Sequence, residues 1–213
     1  MKYIFVFFGL MIFGCKTEKK YHDEKKEEIA LQSTNALSEI KQFQDNLNEE
    51  FKNPNTSPLP DRYRKNFESL DFFPPDTTFR VLAKFERTPN ALPFMMPTTT
   101  ERQSEEVVYG IATFELMGDK YKLEIYQSPE LIKEEEYENY LFLPFLDDTN
   151  GKETYAGGRY IDLTIPNNDT IVIDFNKAYN PYCAYNKKYS CPIVPTVNTL
   201  NTKILAGVKT FKK

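Results

Sequence analysis

VVYGIATFELMGDKYKLEIY, residues 107–126, is the stretch on which the fold turns. It is rich in Val, Ile, Tyr and Phe, and apolar positions alternate with polar ones as in a half-buried strand. Gly118-Asp119 interrupts the alternation, and glycine supplies the positive φ that a tight turn needs. The stretch therefore predicts two antiparallel strands, 107–116 and 121–126, joined as a hairpin.

The same period runs outward in both directions. Upstream, Phe79, Val81, Ala83 and Phe85 alternate with polar residues in FRVLAKFER. Residues 88–97 hold Pro89, Pro93 and Pro97, which suits an edge or end of a sheet. Downstream, residues 140–146 read as a central strand. Residues 159–165 and 170–175 alternate around Pro166-Asn167-Asn168-Asp169, a second predicted hairpin. A last strand is expected over residues 202–211.

Before the strands, Ile29, Ala36, Leu37, Ile40, Phe43, Leu47 and Phe51 recur at helical spacing, ended by Asn53-Pro54. A short second helix follows in DRYRKNFESL with Asp61 as N-cap. The expected fold is mainly β (α+β): an antiparallel barrel or sandwich of about seven strands with an N-terminal amphipathic helix and a short second helix. Residues 29–213 form one domain, without internal repeats.

At the N-terminus, Lys2 precedes an apolar run from Tyr3 to Phe13, and Gly14-Cys15 closes it. The run falls short of the ~20 residues a membrane span needs and reads as a signal-peptide core. A small residue before cysteine resembles the lipobox of bacterial lipoproteins. It implies a signal peptide over residues 1–14, a lipidated Cys15 and a polar tether over 15–28. An ordinary secretory peptide with an incidental cysteine is the other reading. A lipid anchor places the domain in the cell envelope, at a bacterial membrane, the outer rather than the inner one being favoured.

Formal charge is −4, without a basic stripe, which argues against nucleic acid as a partner. The single histidine, His22, lies in the tether. The domain therefore has no Ser-His-Asp triad, no Cys-His dyad and no His-ligated zinc, and no cofactor is expected. A general base would have to be a carboxylate, lysine, tyrosine or cysteine.

Glycines, tyrosines and cysteines crowd into the C-terminal third, the ingredients of a pocket or of an ordered loop cluster. Asp147-Asp148-Thr149-Asn150-Gly151 could ligate a hard cation, line a pocket or simply make an Asx turn. Arg159, after Gly157-Gly158, could clamp a carboxylate or phosphate, or pair internally with Glu153 or Asp174. Asp174 and Asn176 end a strand, where binding groups gather, and Tyr155 and Tyr179 could act as phenolic acids. Cys183 and Cys191 could form a disulfide or remain packed thiols. The candidate ligand-binding residues are thus Glu153, Tyr155, Arg159, Asp174, Asn176 and Tyr179.

ETYAGGRYIDL, DFNKAYNPYCAYN, YSCPIVP and NTLNTKILAGVK closely resemble the bacterial family known as domain of unknown function 1684. SPLP, LDFFP and MMPTTT fit its pattern too. The resemblance implies one domain over residues 29–213 and signature positions that include all six candidates, Cys183, Cys191 and Asn198. It also implies members without export signals, which weakens the disulfide. Val194 and Val208 depart from the pattern. The expected function is binding of a small polar or anionic ligand between the 153–160 and 174–191 loops. Alternatives are a histidine-free hydrolase or lyase using Asp174 or Glu153, and a purely structural or protein-docking domain.

Overall fold

The computed structural model describes residues 21–212. The quoted stretch forms its backbone: β3 (Gln103–Leu116) and β4 (Asp119–Gln127) pair from Val107↔Gln127 to Leu116↔Asp119. The turn is Met117-Gly118, with φ of 54° and 91°, one residue earlier than Gly118-Asp119. Positive φ at both positions is what a two-residue hairpin turn requires.

Around this hairpin lie β1 (Arg80–Arg87), β2 (Phe94–Pro97), β5 (Tyr140–Asp147), β6 (Arg159–Thr164), β7 (Thr170–Asp174) and β8 (Thr199–Leu200). The order is β6-β5-β4-β3-β1-β7, with β2 beside the start of β3 and β8 parallel to the end of β5. One side of β3 thus serves two partners, β2 at residues 103–106 and β1 at residues 110–113. Its register with β4 shifts between Val108 and Gly110, the mark of a bulge that bends the strand. Gly110 is required there, because a Cβ would stand 2.5 Å from the Phe85 ring.

The result is one curled, eight-stranded and, β8 apart, antiparallel sheet, an open half-barrel, where a closed barrel or a sandwich was expected. The predicted hairpin of residues 159–175 is also corrected: β6 and β7 do not pair and form opposite ends of the sheet. Their connection crosses the opening, tied by Ile165 N–H to Asn139 C=O and by Phe85 N–H to Asp169 C=O, 2.9 and 2.7 Å. Alternation shows that a strand has a buried face; it does not name the partner.

The expected strand at 202–211 is irregular apart from an isolated bridge between Phe72 and Val208. Gly207 breaks the extension with φ 79°, and a Cβ there would meet Ala178 C=O at 2.6 Å.

Inside the curl, Phe79, Val81, Ala83, Phe85, Phe114, Leu123, Ile125, Leu141, Leu143, Phe145, Ile161 and Ile173 make the main core, closed by Phe175, Ile204 and Ala206. Helix α1 (Tyr21–Lys52) takes in the last residues of the expected tether and buries Ala36, Ile40 and Phe51. Helix α2 (Asp61–Arg64) starts after Pro60 with no side-chain cap; Asp61 pairs instead with Arg64 at 3.0 Å. A second apolar group, Met96, Tyr126, Phe142, Tyr160 and Val194, lies on the outer face of β4–β6. The Cys15 lipidation site and the 1–14 signal peptide lie outside the described residues. No described helix is long and apolar enough to cross a membrane.

Candidate functional site

Arg159 opens β6 directly after Gly158, whose φ of 90° turns the chain inward. Its side chain is wholly buried and pairs with Asp147 at 2.8 Å. It also donates to the carbonyls of Ala206 and Ile204, the latter at 3.0 Å, and its guanidinium lies 5.2 Å from the Phe145 ring centroid. Asp147 Oδ1 accepts from the N–H groups of Thr149, 2.9 Å, and Ile204, 3.2 Å. The arginine is spent on an internal pair, with Asp147 as partner instead of Glu153 or Asp174. It joins β5, β6 and the irregular C-terminal segment, and it has no exposed surface. The Asp147–Gly151 loop is accordingly an Asx turn anchored to that pair.

Asp174 and Asn176 are likewise structural in placement. Asp174 Oδ1 accepts from Asn176 N–H and Nδ2, 3.0 and 2.8 Å, and Oδ2 lies 3.6 Å from Arg80 Nε. The Asn176 amide in turn clasps the Asp76 backbone through two bonds of 2.9 and 2.8 Å. Glu153 sits elsewhere, on the surface, paired with Lys203 at 2.8 Å. That hydrogen bond holds its carboxyl below the ordinary range. The two carboxylates proposed for acid–base work therefore share neither a contact nor a cleft.

Tyr155 Oη lies 3.9 Å from Cys183 Sγ, and the Cys183 N–H donates to Cys191 Sγ at 3.1 Å. Both cysteines are free thiols in the structure. The hydrogen bond from Cys191 pulls the Cys183 thiol down to about 6, while the same bond and burial push Cys191 up. Burial and the neighbouring Cys183 raise Tyr155 to about 12.

Of the six candidates, Tyr179 lines the cleft of ≈ 610 Å³, whereas Glu153 lines a separate one of ≈ 450 Å³ with Lys152 and Lys209. The Tyr179 backbone pairs with Tyr160, and its hydroxyl donates to Asp162 Oδ1 at 2.6 Å. Tyr140 donates to the same oxygen at 2.7 Å. Tyr160 donates to the Pro192 carbonyl. Burial first, and the Asp162 charge second, keep the Tyr179 and Tyr140 phenols protonated far above their usual range. They are fixed donors, not titrating acids.

These rings form one wall of a cleft of ≈ 610 Å³ on the outer face of the sheet. Phe142 and Pro192 complete the wall; Arg102 to Glu106 of the β3 approach and Ser128 to Glu134 frame the mouth. Glu106 is 4% exposed. Ser104 donates to its Oε1 at 2.8 Å, and its buried Oε2 has no hydrogen-bond partner. Burial raises this carboxyl above the ordinary value, against smaller opposing effects from Ser104 and Arg102. A neighbouring cleft of ≈ 330 Å³ shares Tyr160, Tyr179 and Pro192, and adds Leu47, Tyr182 and Cys191.

Glu106, Tyr140 and Asp162 were not singled out from the sequence. Glu106 sits in the polar run TERQSEE before the quoted strand, a pattern that reads as solvent-facing. Alternation does put 104, 106 and 108 on one face, the signal that could have placed Glu106 beside Val108.

A family model described as "Protein of unknown function (DUF1684)" matches residues 65–209, which covers every strand from β1 to β8 and leaves α1 outside. A solution NMR structure of an uncharacterised protein from Haloarcula marismortui is 30% identical, with a TM-score of 0.62. The alignment spans 89% of this chain and 97% of that one. No curated protein matches.

Proposed function

The chain belongs to the DUF1684 family of proteins of unknown function, and we propose that it is a small-molecule-binding module whose ligand sits in the outer cleft walled by Tyr140, Tyr160 and Tyr179. The observation that carries this reading is a ≈ 610 Å³ concavity whose aromatic wall is held by hydrogen bonds, with a buried carboxyl at its edge. Small-molecule sites combine apolar walls with a few placed polar groups in this way. The site meets the loops named from sequence only at Tyr160 and Tyr179. A hydrolase or lyase built on Asp174 and Glu153 has no such support, since each is engaged by a structural partner.

A metabolite screen followed by NMR on the isotope-labelled protein tests the module. Hits are expected to move the resonances of Tyr140, Tyr160 and Tyr179. A screen whose hits perturb only other surfaces would sink the assignment.

We further propose that Cys15 is lipidated and tethers the domain to a bacterial membrane. The support is the Lys2, apolar run and Gly14-Cys15 order of residues 1–15. Cys15→Ser should shift the protein from the membrane fraction to the soluble exported fraction. Unchanged membrane association of that variant would reject the anchor.

A further inference from the structure

The chemistry of the cleft allows its ligand class to be read, on the premise that the cleft is the binding site. The starting point is Glu106 Oε2. A buried carboxylate oxygen without a donor is costly to the folded chain, and at the edge of a cleft a water, an ion or a ligand can supply that donor. Ser104 already occupies Oε1, so the group left to be met is a hydrogen-bond donor on one side of a carboxylate.

The charges around the cleft sharpen this to a cation. Glu105, Glu106, Glu130 and Glu134 line it against a single positive side chain, Arg102. Arg102 is itself held, donating from Nε to Ser190 Oγ at 3.1 Å and from Nη2 to Ser190 C=O at 3.0 Å. Glu130 is paired with the exposed Lys133 at 2.7 Å, so Glu105, Glu106 and Glu134 are the carboxylates without an ion-pair partner among the described residues. An anionic ligand, expected when Arg159 was the candidate clamp, meets repulsion here, whereas a cation is drawn in.

The aromatic wall points the same way. The hydroxyls of Tyr140 and Tyr179 are both committed to Asp162 Oδ1, at 2.7 and 2.6 Å, and that of Tyr160 to Pro192. These tyrosines can therefore offer a ligand ring surface more readily than further hydroxyl donors. Ring faces favour ammonium groups and the methylenes beside them.

We propose that the cleft binds an aliphatic amine: an N–H-bearing ammonium on Glu106 Oε2, its carbon chain along Tyr140, Phe142 and Leu131, and any second ammonium at the Glu105 and Glu134 rim. No covalent step is involved.

Titration calorimetry on the purified full chain tests this with three probes of equal length: cadaverine, the corresponding neutral diol, and glutarate. Cadaverine is expected to bind, and the diol and glutarate to bind about thirtyfold more weakly or not at all. Glu106→Gln keeps the shape and the Ser104 bond while removing the charge. It should weaken cadaverine about thirtyfold, whereas Glu153→Gln, on another surface, should leave binding unchanged. Undiminished cadaverine binding by E106Q, a diol that matches cadaverine, or no cadaverine binding at millimolar concentration overturns the amine assignment. Ser104→Trp, which fills the cleft, separates the two claims. If the diol or glutarate binds and S104W abolishes it, the cleft remains the site and the amine class fails. If binding of every probe survives S104W, both fail.

Discussion

Two of the regions in which the described residues bury charge do so to opposite ends. At Arg159 the charge is sealed: Asp147 and two carbonyls take its Nη donors, and only Nε is left without a partner. At Glu106 one oxygen is satisfied and the other is buried without a partner, in a residue that lines an open cleft. The first arrangement fastens the irregular segment at Ile204 and Ala206, which no strand pairing holds, to the paired β5 and β6. The second leaves a donor to be supplied from outside. Buried asparagines belong with the first group. Asn198 accepts from Glu124 N–H and donates to the carbonyls of Glu124 and Pro144, each at 2.8 Å. It bridges β4 and β5 where those strands splay, since they pair only at Tyr126↔Phe142. A crowd of unusual residues in a sequence can thus be scaffold, while the cleft we propose for a ligand borders an ordinary-looking strand.

The sharpest way to break this contrast is to attack the sealed pair. Arg159→Leu strands the Asp147 carboxylate in the core and should cost about 3–5 kcal/mol, seen as a large drop in the denaturation midpoint. Adding Asp147→Leu should recover much of that loss, because the uncompensated charge is gone. A single variant as stable as the parent would show that the pair is not a staple. Asn198→Ala removes three hydrogen bonds and should cost roughly 2–3 kcal/mol, with hydrogen exchange accelerating at Glu124 first. Protection unchanged there would refute the bridging role.

Glu106 should behave in the reverse sense. Its folded pKa is raised by burial, so the stability it contributes is complete below the unfolded value of 4.5 and is lost as pH rises through the folded one. Glutamine has no such loss. E106Q should therefore match or exceed the parent at neutral pH by roughly 1 kcal/mol, with the advantage fading in acid. A variant that loses stability equally at every pH contradicts a strained carboxyl. The smallest effect lies beside the second cleft, at Cys183. Its alkylation rate should reach half its plateau near pH about 6, the thiolate being favoured by the hydrogen bond from Cys191. Cys191→Ala should move that midpoint upward; an unmoved midpoint removes the coupling.

The hairpin of residues 107–126, the mainly β class and the amphipathic helix were legible because each rests on local periodicity. What was not legible is who pairs with whom. The strands at 159–165 and 170–175 looked like neighbours because a turn sequence separates them, yet curvature of the sheet sends one to each edge. Arg159 could be foreseen as buried or binding, but its partner, Asp147, is chosen by how β5 lies against β6. Among the site residues, Tyr179 was foreseen. Glu106 was not, because its surroundings come from elsewhere in the chain: β2 pairs beside it at Phe94, and Tyr140, Tyr160 and Pro192 line the same cleft. Polar letters before a strand carry no mark of a lid supplied from elsewhere in the chain.

The placement of β7 against β1 also sets an order of events. Arg80 faces Asp174 across that pairing, and the Asn176 amide binds Asp76 at a separation of 100 residues. Until the last third of the chain has been made, β1 presents a bare edge and the core under Phe175 stands open. Contacts between such distant segments make folding slow. No N-terminal fragment can finish the structure, and a growing chain stays pliant until nearly all of it is available. For a chain exported as we propose, this topology is itself a delay built into the fold.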